Sequence, residues 1–130
     1  MTRYVIDPGV ALRLAADEAT VGGHQLVAPT LLRSQTLSLL YGQVRRGELT
    51  KKDADRRLDH LRSLRIRLLG DRVLQGNAWK VADKLGWADT FTAEYVALTQ
   101  LQADAFVTLD DDLAAVVRDL VAVAGIDALL

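Results

Sequence analysis

Two aspartates stand directly behind short strand-like runs at opposite ends of the chain: Asp7 follows Tyr4-Val5-Ile6, and Asp110 follows Phe106-Val107-Thr108-Leu109. A lone aspartate in such a place ordinarily caps the helix that comes next. Two at matching strand ends converge if the strands are neighbours in one parallel sheet, and together they make a local negative well at the carboxyl edge. The chain has no cysteine, so the donors on offer are oxygens. Oxygen donors select a hard ion, Mg²⁺ or Mn²⁺, held by one or two carboxylates while water or a substrate phosphate fills the remaining positions. An ion held this way can polarise a bound phosphate and lower the pKa of its water, with no protein nucleophile required.

Other chemistries find no footing. His24 and His60 are isolated, and a lone histidine is far more often a packing or surface residue than a general base. Ser34 and Ser38 sit in a helical pattern with no histidine at useful spacing. Gly22-Gly23 reads as a turn without the Lys and Ser/Thr of a phosphate loop. Asp110-Asp111-Asp112 superficially matches the paired acids of haloacid-type phosphatases, but those follow a first strand, and Asp7-Pro8-Gly9 lacks the pair that a phospho-acceptor domain requires.

The elements that would carry these acids alternate in type. Tyr4 to Ile6 is a strand stopped by Asp7-Pro8-Gly9, and Val10, Leu12, Leu14 and Ala15 pattern the first helix. Gln25 to Ala28 is a short extended run. Pro29-Thr30 opens a helix that buries Leu31, Leu32, Leu39 and Leu40 and carries Gln35 near its middle. Thr50 caps a helix that runs to about Leu64, Ile66 to Leu69 is a strand, and Gly86 ends a helix over Val73 to Leu85. A helix over Ala93 to Leu101, the strand Phe106 to Leu109, a helix over Leu113 to Leu120 and a last strand at Val121 to Val123 complete the chain. Trp79 and Trp87, on either side of the Gly86 turn, read as core or dimer anchors. This alternation predicts a three-layer α/β/α fold around a largely parallel sheet, in one domain spanning residues 1–130.

Composition sets the limits. In 130 residues, half are hydrophobic and a quarter charged, which suits one soluble globule with a sizeable core and excludes a disordered or low-complexity chain. No apolar run approaches the roughly 20 residues of a membrane span, so the reading is a cytoplasmic protein. The net charge is only -1, yet residues 45 to 72 hold ten of the sixteen basic side chains against five acids, leaving that stretch at +5. One reading is a solvated helix face laced with ion pairs; the other is a rim that attracts phosphates.

Taken together, Val5-Ile6-Asp7, Ala28-Pro29 with the helix behind it, Thr90 to Leu98 (TFTAEYVAL), and Phe106-Val107-Thr108-Leu109-Asp110 resemble a PIN domain of the VapC toxin type. The resemblance runs from about residue 3 to residue 124. It implies a Mg²⁺- or Mn²⁺-dependent endoribonuclease, a homodimer, and a cognate antitoxin that holds it inactive. The family places acids at four positions. Asp7 and Asp110 match two of them; the other two fall on Gln35 and Thr92, which keep oxygen donors but bring no negative charge.

Nearby acids are candidates to replace that charge. Glu94, about 200° round a helix from Thr92, should turn to the surface. Asp89 would share the face of Thr92 only in a helix that began earlier than Gly86 and Trp87 suggest. Asp112, in the turn that opens the next helix, completes the expected ligand set of Asp7, Asp110 and Asp112, with Asp111 solvated. The expected function is RNA cleavage weakened by Gln35 and Thr92. The alternative is a catalytically degenerate PIN protein that acts by binding antitoxin or RNA. The groove expected to receive the antitoxin lies between the helix around Leu31 to Tyr41 and the basic helix at 51 to 65.

Overall fold

The first strand ends where its backbone can no longer pair. Pro8 has no amide hydrogen for a ladder but fits the first position of a helix, so β1 (Arg3–Ile6) gives way at once to α1 (Pro8–Ala16). A computed structural model describes all of residues 1–130 and continues with β2 (Gln25–Pro29), α2 (Leu31–Arg45), α3 (Lys51–Ser63), β3 (Arg67–Leu69), α4 (Arg72–Leu85), α5 (Phe91–Gln102), β4 (Ala105–Val107), α6 (Asp111–Val117) and β5 (Val123–Ala124). A 3-10 helix over Ile126–Leu129 follows. The hydroxyl of Thr50 accepts the Asp53 amide at the start of α3, and Gly86 ends α4 in the left-handed conformation at φ 69°.

All five strands are parallel, in the order β3-β2-β1-β4-β5. The sheet is flanked by helices in a three-layer α/β/α arrangement, with α1 packed on α2 and α3, and α4 packed on α5, which lies against β1, β2 and β4. A parallel sheet covered on both faces is apolar throughout, and Val5, Ile6, Phe106 and Val107 are fully buried. The chain moves outward from β1 through β2 to β3, then returns to place β4 on the other side of β1. That reversal opens a crevice at the carboxyl ends of β1 and β4. Asp7 and Asp110 follow those two strands.

Several boundaries differ from the sequence expectation, each for a local reason. The strand β4 stops at Val107, because the Thr108 hydroxyl engages side chains and backbone beyond the sheet and Leu109 turns out to solvent. The last strand is Val123–Ala124 instead of Val121 to Val123, since the Val121 amide still donates to the Val117 carbonyl. In α2 the buried stripe is Leu32, Thr36 and Leu40, four residues apart, so Leu39 is exposed. Thr36 is admitted to the core because its hydroxyl donates to the Leu32 carbonyl at 2.9 Å. Trp87 packs partly buried against the core, while Trp79 is 71% exposed and is no core residue. No helix is long and apolar enough to cross a membrane.

Candidate functional site

Asp7 leaves β1 in extended conformation and is held by both of its oxygens. Oδ1 accepts the Val10 amide at 2.9 Å, capping α1, and Oδ2 accepts the Thr108 hydroxyl at 2.6 Å. The same Thr108 oxygen accepts the Asp110 amide at 3.1 Å, and Asp110 in turn caps α6 by accepting the Leu113 amide at 3.0 Å. One buried hydroxyl therefore ties together the two acids that the ends of β1 and β4 deliver. Burial pushes the Asp7 carboxyl above its ordinary range; hydrogen bonds from Thr108 and Val10 pull the other way, and the charge of Asp110 adds to the rise. Asp7 and Asp110 are thus close enough to repel each other. A cation would relieve that repulsion.

Gln35 reaches the same crevice from α2. Its Oε1 accepts the hydroxyl of Tyr95, whose ring is buried on α5. Burial first, then the charges of Asp7 and Glu94, push the Tyr95 phenol well above its usual range, so it remains a donor throughout the ordinary pH range. Glu94 is half-buried beside Tyr95 instead of turned out to the surface, and burial raises its carboxyl too. The cause is α5 itself, which is covered on nearly all sides by α4 and the sheet and leaves its residues few outward directions.

Thr92 and Asp110 share a cavity of about 320 Å³ with Trp87, Ala88, Asp89 and Leu113. Asp89 reaches this cavity although α5 starts only at Phe91, because it sits in the turn before the helix and accepts the Phe91 amide at 3.2 Å. The expectation that excluded it assumed a helical path. Asp112 behaves in the opposite way: it is exposed in the first turn of α6. Two positions past the cap, the helix has rotated it by about 200°. Of the expected ligands, Asp7 and Asp110 meet at Thr108, whereas the Asp112 side chain stands exposed to solvent.

What converges instead is two carboxylates, the bridging Thr108, and the neutral pair Gln35–Tyr95, with Thr92 and Asp89 at the adjoining cavity. Thr108 and Tyr95 are the residues that sequence reasoning passed over. The signal for Thr108 was a small hydroxyl two residues before a strand-end acid, a spacing that favours a side-chain turn. The donor set is all oxygen, two of it anionic, and fits a hard dication bound chiefly through water and phosphate.

Four of the ten basic residues in the stretch 45 to 72 are engaged in ion pairs. Lys51 pairs with Asp55 at 2.6 Å, Arg62 with Asp59 at 2.6 Å, Arg56 with Glu18 at 3.2 Å, and Arg46 with Glu48. Arg45, Lys52, Arg65 and Arg67 are exposed and make no ion pair. Between α2 and α3 lies a cavity of about 470 Å³, floored by Leu32, Leu37, Leu58, Leu61 and Leu68 and edged by Arg33, Arg62 and Arg65.

No family model matches the chain, and no curated protein matches it significantly. Among solved structures it is similar to the crystal structure of PAE2754 from Pyrobaculum aerophilum, at a TM-score of 0.78 and 21% identity, over 97% of this chain and 90% of that one. The likeness is one of fold.

Proposed function

We propose that this protein is a PIN-type, Mg²⁺- or Mn²⁺-dependent endoribonuclease of the VapC kind, acting in the cytoplasm under the control of a cognate antitoxin. The observation that carries the reading is the Thr108-bridged pair Asp7 and Asp110 at the sheet's point of reversal, with Gln35 and Thr92 brought to the same edge. Asp7 and Asp110 would hold the ion, with Thr92 and Gln35 offering neutral oxygens. When bound, the ion supplies Lewis acidity toward a phosphodiester and a water of lowered pKa. The protein's own contributions are positional. Thr108 sets the spacing of the two carboxylates, Tyr95 fixes the Gln35 amide, and the unpaired cations of residues 45 to 67 draw the RNA backbone.

A second reading has an observation of its own. With no third acid in the crevice and the Gln35 oxygen already engaged by Tyr95, the chain fits a degenerate PIN protein that binds antitoxin or RNA without cutting. In either reading the apolar cavity between α2 and α3 is the seat proposed for an antitoxin segment. Truncating Leu37 and Leu58 should weaken partner binding, and unchanged affinity would rule that seat out. The first test of cleavage is an RNA panel incubated with partner-free protein in Mg²⁺, Mn²⁺ or chelator, beside Asp7→Asn and Asp110→Asn. Metal-dependent cleavage lost in both variants supports the nuclease; identical behaviour of all three proteins supports the degenerate binder.

A further inference from the structure

The cavity beside Asp110 has a wall and a rim that holding a metal ion leaves without a role. Trp87, Ala88, Asp89, Thr92, Asp110 and Leu113 enclose about 320 Å³, at the small end of the range for ligand pockets. Trp87 is fixed by the way α4 ends. Gly86 donates to the Asp83 carbonyl at 3.2 Å and the Trp87 amide to the Ala82 carbonyl at 2.9 Å, the pair of bonds that locks the two residues after a helix. The indole is half-buried against the core and lines the cavity with the remainder. Asp89 is fixed as well, through Oδ1, which accepts the Phe91 amide at 3.2 Å. Its Oδ2 has no hydrogen bond within the chain, and no cation pairs with the carboxylate.

We infer, on the reading that the ligand is RNA, that this cavity seats a single unpaired guanine, its ring on Trp87 and its Watson–Crick edge against Asp89. Asp110 belongs both to the cavity and to the carboxylate pair, so a base seated here belongs to a nucleotide adjoining the phosphate held at that pair. Two carboxylates and no lysine or arginine line the cavity, which repels the RNA backbone and leaves a base as the part that enters. Stacking on an indole is open to every base; the choice among them falls to Asp89. Guanine alone presents two adjacent donors on that edge, N1–H and the 2-amino group, and an ionised carboxylate receives both with its two oxygens. Oδ1 retains a lone pair for this after accepting the Phe91 amide. Adenine and cytosine present one donor beside one acceptor, and uracil one donor between two acceptors, so each sets an acceptor against a carboxylate oxygen.

The test is a binding measurement that needs no cutting. Full-length Asp7→Asn protein in Mg²⁺ is titrated with short oligouridylates carrying one central guanosine, inosine, adenosine or cytidine, read by anisotropy of a label on the RNA. A Trp79→Phe background leaves Trp87 as the one indole, and circular dichroism checks that each variant is folded. Guanosine should quench Trp87 and bind about tenfold or more tighter than inosine, which lacks the 2-amino group. Asp89→Asn keeps the bond to Phe91 but offers one donor beside one acceptor, so it should move the preference from guanosine to adenosine and cytidine. Trp87→Ala should weaken every RNA by about tenfold while keeping their order, with Trp87→Phe in between. RNA bound with no preference for guanosine, or a preference unmoved by Asp89→Asn, would overturn the guanine seat and leave the RNA reading standing; no binding of any RNA would overturn both. Quenching of Trp87 by an arginine peptide but by no RNA would assign the cavity to a partner's cation and overturn the seat as well.

Discussion

Asp7 and Asp71 do the same local work in different surroundings. Each ends a strand, takes an extended backbone, and caps a helix by accepting the amide three residues on, both at 2.9 Å. Asp71 follows β3, the edge strand, and lies open to water. Asp7 follows β1, flanked by β2 and β4, where Thr108 donates to its second oxygen, the charge of Asp110 acts on it, and Tyr95 feels its own charge. The cap is the same, but burial sets one of the two carboxylates apart as a candidate site. A capping aspartate acquires chemistry when neighbouring strand ends wall it in.

The sharpest way to break this comparison is to neutralise each acid in turn. Asp7→Asn keeps a good cap and should lower metal-dependent RNA cleavage by about a hundredfold or more, whereas Asp71→Asn should leave the rate as it was; equal losses in the two would end the distinction. Restoring charge should move the rate the other way. Gln35→Glu with Thr92→Asp should tighten Mn²⁺ binding by about tenfold or more, read by titration calorimetry, and an unchanged affinity would show that these positions do not face the ion.

Stability separates the two acids more gently. Because burial raises the Asp7 pKa, the folded state holds a proton that the unfolded chain gives up near 3.8. Stability is therefore lost as pH rises from about that value through the folded pKa, and stays lower above it. Asp7→Asn removes this cost, so urea unfolding should find the variant more stable than wild type at neutral pH, with the gap closing in acid. Asp71→Ala should instead cost about 1 kcal/mol through its lost cap, with no gain at any pH. A loss of similar size is expected at Tyr95→Phe, which leaves the Gln35 oxygen without its donor and should destabilise by about 1 kcal/mol; a neutral result would mean that water replaces the phenol.

Much of the scaffold was legible from residue order. Thr50 three before Asp53 and Gly86 after Leu85 mark helix ends through backbone rules that act within a few residues, and the structure places those ends accordingly, while Pro8-Gly9, expected as a turn before the first helix, are its first two residues. The site was legible in part. Asp7 and Asp110 were readable because each follows an apolar run, but their join through Thr108 links residues 101 apart in sequence, a distance over which no periodicity speaks. Asp89 was set aside because it was judged by helix geometry, and Glu94 was turned outward for the same reason. The error at Leu39 has a similar origin: the spacing of apolar letters cannot show that Thr36, satisfied by the Leu32 carbonyl, takes the buried place.

By itself the sequence determined the alternation of strands and helices, the helix ends at Thr50 and Gly86, and which stretch carries positive charge, because those outcomes depend on residues within a turn or two of each other. Only the tertiary structure decided that Asp7 is walled in while Asp71 is not, that Gln35 meets Tyr95, and that Asp112 faces water while Asp89 reaches the cavity. Each of those depends on which strand lies beside which, and that is settled by burying the whole sheet between two layers of helices.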